Sequence, residues 1–496
     1  MTRTFDAVVV GSGVNSLACA ALLVRGGWGV CVLEREDVLG GAIRSEELTE
    51  PGFLHDTFSA WHPLWVGGAA NAELGEELAA RGLEYLNTDL PTATAFPDGE
   101  AAFLLRSTEA NVAELGEEWR GVVDSFLPNA DLAFGTLGTE LWSRGGLMLA
   151  LKALRRLGPR GLVEYVGGML VSSRDWLTDT FPSERARGVL APWVLHTGLG
   201  PDAASSGFMN QVIAVAIQEG GMPIPRGGGA RLVDALVTLI RDRGGVVEAG
   251  RDVERVLVED GRAAGVRTAD GEELRAGRAV IANVTPTQLY GRLLPRAKPR
   301  RYRYGRGDMQ IHFALSEPAR WDGDERLNRT AIVHVTPGLD GVSRAVNEAD
   351  RGLLPEEGTI VVGQPLTMDP SRAPDGKGLL WIQLQELPRG FEWTEDARER
   401  YADRITERLT RHIPNLESAL LKRVVLSPAD LERANVNLVG GDPYSGALSL
   451  DQNFLWRPRP GHATEVRGLW HIGASTHPGP GLGGGSGTLV ARRLLR

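Results

Sequence analysis

Three rhythms of apolar and polar positions divide the chain. Short unbroken runs rich in valine, at 5–10, 30–33 and 279–283, predict strands buried on both faces. Segments 17–24, 230–243, 395–412 and 488–495 read as helices, with 230–243 amphipathic and 395–412 carrying a charged face. Shorter strands are predicted at 246–248, 253–258, 265–267, 310–315 and 379–384, and another opens the stretch 468–479. Residues 105–214 read mostly as helices, with Trp119, Trp142, Trp176 and Trp193 scattered among leucines. Core packing is the plain reading of those four rings.

The first elements stand in a telling order. Strand 5–10 runs into Gly11-Ser12-Gly13-Val14-Asn15-Ser16, then a helix closed by Gly26-Gly27, then strand 30–33 and Glu34. A βαβ dinucleotide site needs this order. Gly11 permits the tight turn, and Gly13 lets backbone approach a pyrophosphate. The helix N-terminus offers N–H groups and a positive dipole to the phosphates. Glu34 lies about 20 residues on, where a carboxylate accepts hydrogen bonds from ribose hydroxyls. Ser16 holds the place of the third glycine, whose task is helix–strand packing. The alternative is a glycine-rich turn followed by a surface glutamate.

Composition narrows the class. At 496 residues, length alone suggests about three domains. The 63 glycines gather in short clusters, as tight turns and close backbone approach require. A net charge of −9 argues against a nucleic-acid partner. Lysine occurs only at Lys152, Lys298, Lys377 and Lys422, an arginine bias expected of a GC-rich bacterial genome. Two cysteines, Cys19 and Cys31, make no disulfide framework or metal spacing and read as core residues. The apolar run 7–10 is too short for a signal peptide, and no apolar run reaches about 18 residues, so a cytoplasmic protein is expected. Hydrolase elbow, Walker and zinc signatures are absent from the sequence.

After Glu34 the chain reads Arg35-Glu36-Asp37-Val38-Leu39-Gly40-Gly41-Ala42. Near the other end stand Gly473-Ala474, then Gly481-Leu482-Gly483-Gly484-Gly485-Ser486-Gly487 leading into a helix. Together these resemble the two flavin motifs of phytoene-desaturase-like and amine-oxidase-like oxidoreductases, in the family's order. The resemblance implies FAD as cofactor and a discontinuous Rossmann-like α/β FAD-binding domain at 1–90, 215–300 and 425–496. It also implies an inserted α+β substrate part at 91–214 and 301–424, with a sheet and a helical lid region. The cofactor would meet Gly11, Gly13, Val14, Asn15, Ser16, Glu34, Arg35, Gly40 and Gly41. The C-terminal contacts would be Gly473, Ala474, Gly481, Leu482 and Gly483. In related flavoproteins the backbone near Val253 would hold the adenine. Many amine oxidases carry a phosphate-binding arginine directly after the glycine pair. Here that place is Ala42, and Arg44 is the candidate substitute. Ser445 stands where members of the family often have histidine.

The implied activity is hydride transfer from a C–H centre of a hydrophobic or alicyclic small molecule to flavin N5, a desaturation or dehydrogenation. Amine oxidation and flavin-dependent saturation or isomerisation are the alternatives. Rab GDP-dissociation inhibitors, flavin-free binders of prenylated proteins, represent a different class with the same general fold. Acid–base candidates are His55, Asp56, His62 and His477. The plainer reading of each is a turn cap for Asp56 and buried, satisfied imidazoles for the histidines. Tyr444, Phe454 and Trp456 are candidate walls for an apolar substrate. A basic amphipathic helix at 146–157 offers a membrane-docking face, against the plainer reading of a packed helix with a solvated side.

Overall fold

A computed structural model describes residues 3–294, 302–457 and 461–496, without the side chains of 454–456. The expected walls Phe454 and Trp456 therefore lie outside the described side chains, and residues 458–460 outside the described chain.

One seven-stranded sheet is mostly parallel. Its order is Val253–Glu259, Arg262–Thr268, Glu273–Asn283, Arg3–Val10, Val30–Leu33 and Val246–Glu248, with Leu469–Ile472 also pairing on Glu273–Asn283. Five of these strands run parallel, and 253–268 adds an antiparallel hairpin at the edge. Ala7, Val8, Val9, Val30, Cys31 and Val32 are wholly inaccessible, because helices and loops cover both faces of the sheet. Helices Val14–Arg25, Ala230–Asp242 and Gly485–Leu494 join one core on one face. Helix Ala230–Asp242 buries Leu232, Val233, Leu236, Leu239 and Ile240, the spacing of one helical stripe. Cys19 and Cys31 are free, and burial pushes each thiol up to about 12, as suits core residues.

The second seven-stranded sheet runs Leu420–Leu426, Gly307–Leu315, Gly378–Leu387, Ile360–Gly363, Ile332–Val335, Thr92–Ala95 and Ala101–Leu104. All pairs are antiparallel except Ile332–Val335 with Thr92–Ala95. Strand alternation gives it two unlike faces. Met309, Ile311, Phe313, Ile382 and Leu384 face a core shared with Tyr401, Ala402, Ile405 and Leu409 of helix Glu395–Thr410. The opposite positions carry Asp308, Gln310, His312, Gln383 and Gln385, all but Gln383 fully buried.

Between the first strands of this sheet and residue 220 the chain is helical, around a core that includes Trp119, Phe181 and Trp193. Trp142 departs from the expected packing and is 70% exposed. The helix expected at 146–157 spans Arg144–Gly168, broken at Gly158 (φ 71°) before Pro159. Its Lys152 and Arg156 are not a free basic face, since both pair with Asp131. Among the described residues no helix is long and apolar enough to cross a membrane.

Candidate active site

A cavity of about 350 Å³ runs from the glycine turn after the first strand to the polar face of the second sheet. Its near end is built from backbone. Gly11 adopts φ +87°, and a Cβ on Gly13 would stand 3.0 Å from the Asn283 amide nitrogen. A Cβ on Gly41 (φ +63°) would stand 3.1 Å from Gly13 Cα, so the two glycine motifs touch. Gly13 caps helix Val14–Arg25 without a side-chain bond, which leaves the first N–H groups facing the cavity mouth. A ligand with bridging phosphates fits such a cradle.

Glu34 ends its strand with 7% exposure. Its Oε2 accepts from Ser12 N (2.8 Å) and Ser12 Oγ (2.7 Å), and Ser12 Oγ accepts from Gly40 N (2.9 Å). Ser12 thus ties together the turn, the acid and the second glycine pair. Its place between two glycines gives no sign of that role in the sequence. Asn15 Oδ1 accepts from Ser486 Oγ (2.9 Å), which accepts from Gly473 N (2.9 Å), joining the two chain ends.

The cavity wall includes Gly11, Gly13, Val14, Asn15, Glu34 and Arg35 from the first motif. Gly40, Gly41, Ala42 and Arg44 follow, then Val253, and Ala474, Gly481 and Leu482 from the C-terminal motif. Arg44 reaches the wall while paired with Glu46 (3.0 Å). Three expected contacts stand behind the wall instead. Ser16 is fully buried within its helix. A Cβ on Gly473 would stand 2.3 Å from Asn283 Oδ1, and one on Gly483 would stand 2.8 Å from Leu64 O, so both glycines serve packing.

The far end is built from side chains. Asp308 and Gln310 reach it from one strand, Gln383 and Gln385 from the next, joined by His196, Tyr444 and Ser445. Gln383 donates to Asp308 Oδ2. Burial pushes the Asp308 carboxyl well above the ordinary carboxylate range. Burial pushes His196 down to about 4, and its Nε2 lies 3.1 Å from His334 Nε2. Buried Asp442 accepts from Gly305 N, Tyr444 N and Gly446 N (2.6–2.8 Å) and so fixes the turn that carries Tyr444 and Ser445. Arg457 donates to Tyr444 O and Ala474 O, linking that turn to the C-terminal motif.

None of the four acid–base candidates lines the cavity. His55 meets Thr49 Oγ1 (2.8 Å), and burial drives its pKa to about 2. His62 meets Tyr85 OH (3.1 Å) and falls to about 4. Asp56 is spent on Ser45, on Gly229 N (2.8 Å) and on fully buried Arg372, which also holds Asp369 (3.1 Å). His477 precedes the C-terminal glycine run, and its carbonyl accepts from His462 Nε2 (2.7 Å). These groups hold the site together and do not face it.

Residues 17–495 match the model of the family described as flavin containing amine oxidoreductase. The chain belongs to that family. Its fold and cradle are those of an FAD-dependent oxidoreductase, and FAD is its cofactor. Of similar flavin oxidoreductases and related proteins, one from Mus musculus is the pyridine nucleotide-disulfide oxidoreductase domain-containing protein 2. It is 28% identical, over 99% of this chain and 93% of its own. The neurosporene-forming phytoene desaturase of Cereibacter sphaeroides is 26% identical over 98% of this chain and 94% of its own. A redesigned putrescine oxidase superposes with a TM-score of 0.64 at 16% identity, covering 100% of this chain and 98% of that one, a likeness of fold.

The cradle fits the flavin cofactor. Gly11, Gly13 and Gly41 give close backbone approach, Glu34 lines the wall and would meet the ribose hydroxyls, and Arg44 reaches the wall where Ala42 supplies no cation. The polar residues at the far end were legible in principle. Asp308, Gln310 and His312, and then Gln383 and Gln385, recur every second position within otherwise apolar strands.

Proposed function

We propose that this enzyme dehydrogenates a C–H centre of an uncharged, largely apolar or alicyclic small molecule. Bound FAD supplies the hydride acceptor. The observation that carries the reading is the burial of the far wall, which pushes the Asp308 carboxyl well above the ordinary carboxylate range and His196 down to about 4. A wall that disfavours charge compensates a desolvated ammonium group poorly, whereas a neutral carbon skeleton loses little there. Phe58, Leu438 and Tyr444 add apolar surface to the same wall. The phytoene desaturase relative supports a C–H rather than a C–N centre. A membrane surface as substrate reservoir belongs to the same proposal, supported by exposed Trp142, Leu147 and Met148. So does residence in the cytoplasm, in keeping with two free thiols. The test is an anaerobic absorbance spectrum of purified protein with polyenes, cyclic ketones and amines. Bleaching of the flavin band by a neutral carbon substrate is expected. Bleaching by amines alone would sink the C–H reading, and a protein that takes up no FAD would sink the oxidoreductase reading.

A further inference from the structure

Dehydrogenation removes a proton as well as a hydride, and the four expected acid–base residues line no part of the cavity. On the far wall most titratable and hydroxyl groups are already spent. Asp308 Oδ2 is engaged by Gln383, and Asp308 Oδ1 is sealed inside the protein. Tyr444 OH donates to Leu195 O (2.7 Å) and accepts from Gln385 Nε2 (2.9 Å). Ser445 Oγ donates to Asn437 O (3.3 Å). His196 differs. It keeps open surface and lines the cavity. Its Nε2 meets His334 Nε2 at 3.1 Å, and Trp193 lies against the ring with centroids 4.5 Å and planes 31° apart. Those two contacts fix the ring and leave Nδ1. That nitrogen has no hydrogen-bond partner among the described residues, and it is not sealed as His334 Nδ1 is.

Two facing Nε2 atoms share one proton. Burial drives His334 well below the usual imidazole range, and the Ala93 backbone works the other way, drawing a proton to the ring. With that proton on Nδ1, His334 Nε2 accepts, His196 Nε2 donates, and His196 Nδ1 keeps its lone pair for the cavity. Burial pushes His196 down to about 4, which leaves that lone pair free. So weak a base is no match for an unactivated C–H. It does accept a hydrogen bond from a hydroxyl, and it can take that proton as the adjoining C–H is lost. We infer that His196 Nδ1 is the proton acceptor in the oxidation of a secondary alicyclic alcohol to its ketone. The carbinol C–H bond breaks, and its hydrogen leaves with both electrons to bound FAD. The O–H bond breaks, its electron pair closes the C=O double bond, and its proton goes to His196 Nδ1. His334 Nε2 accepts from the imidazolium so formed and is a positioning residue. The inference rests on the proposed function and narrows its C–H centre to a carbinol carbon.

The test sets cyclohexanol, menthol and borneol beside their methyl ethers, which keep each skeleton and lose the donor. Calorimetry on the FAD-loaded protein should show each alcohol binding severalfold more tightly than its ether. Without oxygen, the alcohols and not the ethers should bleach the flavin band, with the ketone released. His196→Phe, checked for flavin content and far-UV spectrum, should bind alcohol and ether alike and bleach about 100-fold more slowly. His196→Gln should recover part of the binding preference and none of the rate. Equal binding of alcohols and ethers, including none of either, overturns the inference. So do alcohols that bind without bleaching, and a His196→Phe enzyme that bleaches at the wild-type rate. Loss of FAD from both variants also overturns it, by assigning the nitrogen to the cofactor. Bleaching by polyenes or cyclic ketones but not by alcohols overturns it and leaves the proposed function standing, whereas bleaching by amines alone sinks both.

Discussion

The two ends of the cavity are made of different material. The nucleotide end is backbone, shaped by glycines and held by hydrogen bonds of Ser12, Glu34 and Asn15. The far end is side chain, a row of carboxyl and amide groups on a sheet face. A backbone cradle tolerates little change, because a Cβ at Gly13 or Gly41 would crowd its neighbours. A side-chain wall is where one enzyme departs from another, since a strand keeps its pairing whichever residue it presents. Between the two lies a seam, where Arg372 of the second region meets Asp56, and Asp56 meets Gly229 before helix Ala230–Asp242.

Breaking the seam should have the largest effect. Asp56→Asn leaves the inaccessible Arg372 guanidinium short of a carboxylate, and unfolding in urea should show a loss of about 3–5 kcal/mol. Protein that still folds should keep its flavin spectrum. A normal stability with lost turnover would restore Asp56 as a catalytic group. Next comes the cradle. Gly13→Val pushes a branched side chain toward Asn283 and the phosphate path, and FAD affinity should fall on the order of 100-fold with little change in the far-UV spectrum. Unchanged affinity would mean that the phosphates lie elsewhere. Glu34→Gln weakens charge-assisted bonds to Ser12, and about tenfold weaker FAD binding is expected by fluorescence titration.

Acidity separates the regions more gently. His62, His312 and His471 are each held near 4 by burial, and His55 near 2. A lowered folded pKa means that the unfolded chain binds more protons below about 6.5, so this stability is complete above that pH and drains away as pH falls toward 4. Melting temperatures at pH 7.5, 6 and 5 should decline in that order, and a flat profile would contradict the burial of these rings. Glu386 acts the other way. Burial raises its carboxyl to about 7 while it accepts from Thr359 N, so its contribution is present below about 4.5 and is lost as pH rises through 7. Glu386→Gln should remove that decrement, read as the variant-minus-wild-type difference in melting temperature between pH 5 and 8. A difference that does not change with pH would refute it.

The parallel sheet was legible because it is written locally. Strand Val30–Leu33 lies where its apolar run predicts, and Val246–Glu248 likewise. Helix Val14–Arg25 starts three residues before the predicted position, since its cap is a glycine and offers no Ser, Thr or Asp signal. The sequence reading placed His55 and Asp56 beside the chemistry because nothing near them announces their partners. Arg372 stands 316 residues away, and the His312 ring that crosses His55 is also remote in sequence. The far wall fell between these cases. Its period-two polar positions were visible, but the pairing of strands Gly307–Leu315 and Gly378–Leu387 was needed to see them as one surface.

The bond from Ser486 to Asn15 spans 471 positions of chain. At about 5–20 residues per second, a ribosome needs from roughly half a minute to a minute and a half to make the second half of that joint after the first. Throughout that interval the glycine turn exists without its closing partner, and helix Val14–Arg25 lacks the C-terminal helix that packs on it. The glycine turn is therefore complete only once helix Gly485–Leu494 has been made. Until that helix arrives the core lacks Val490 and Ala491, and a chain cut short before it would carry an open core.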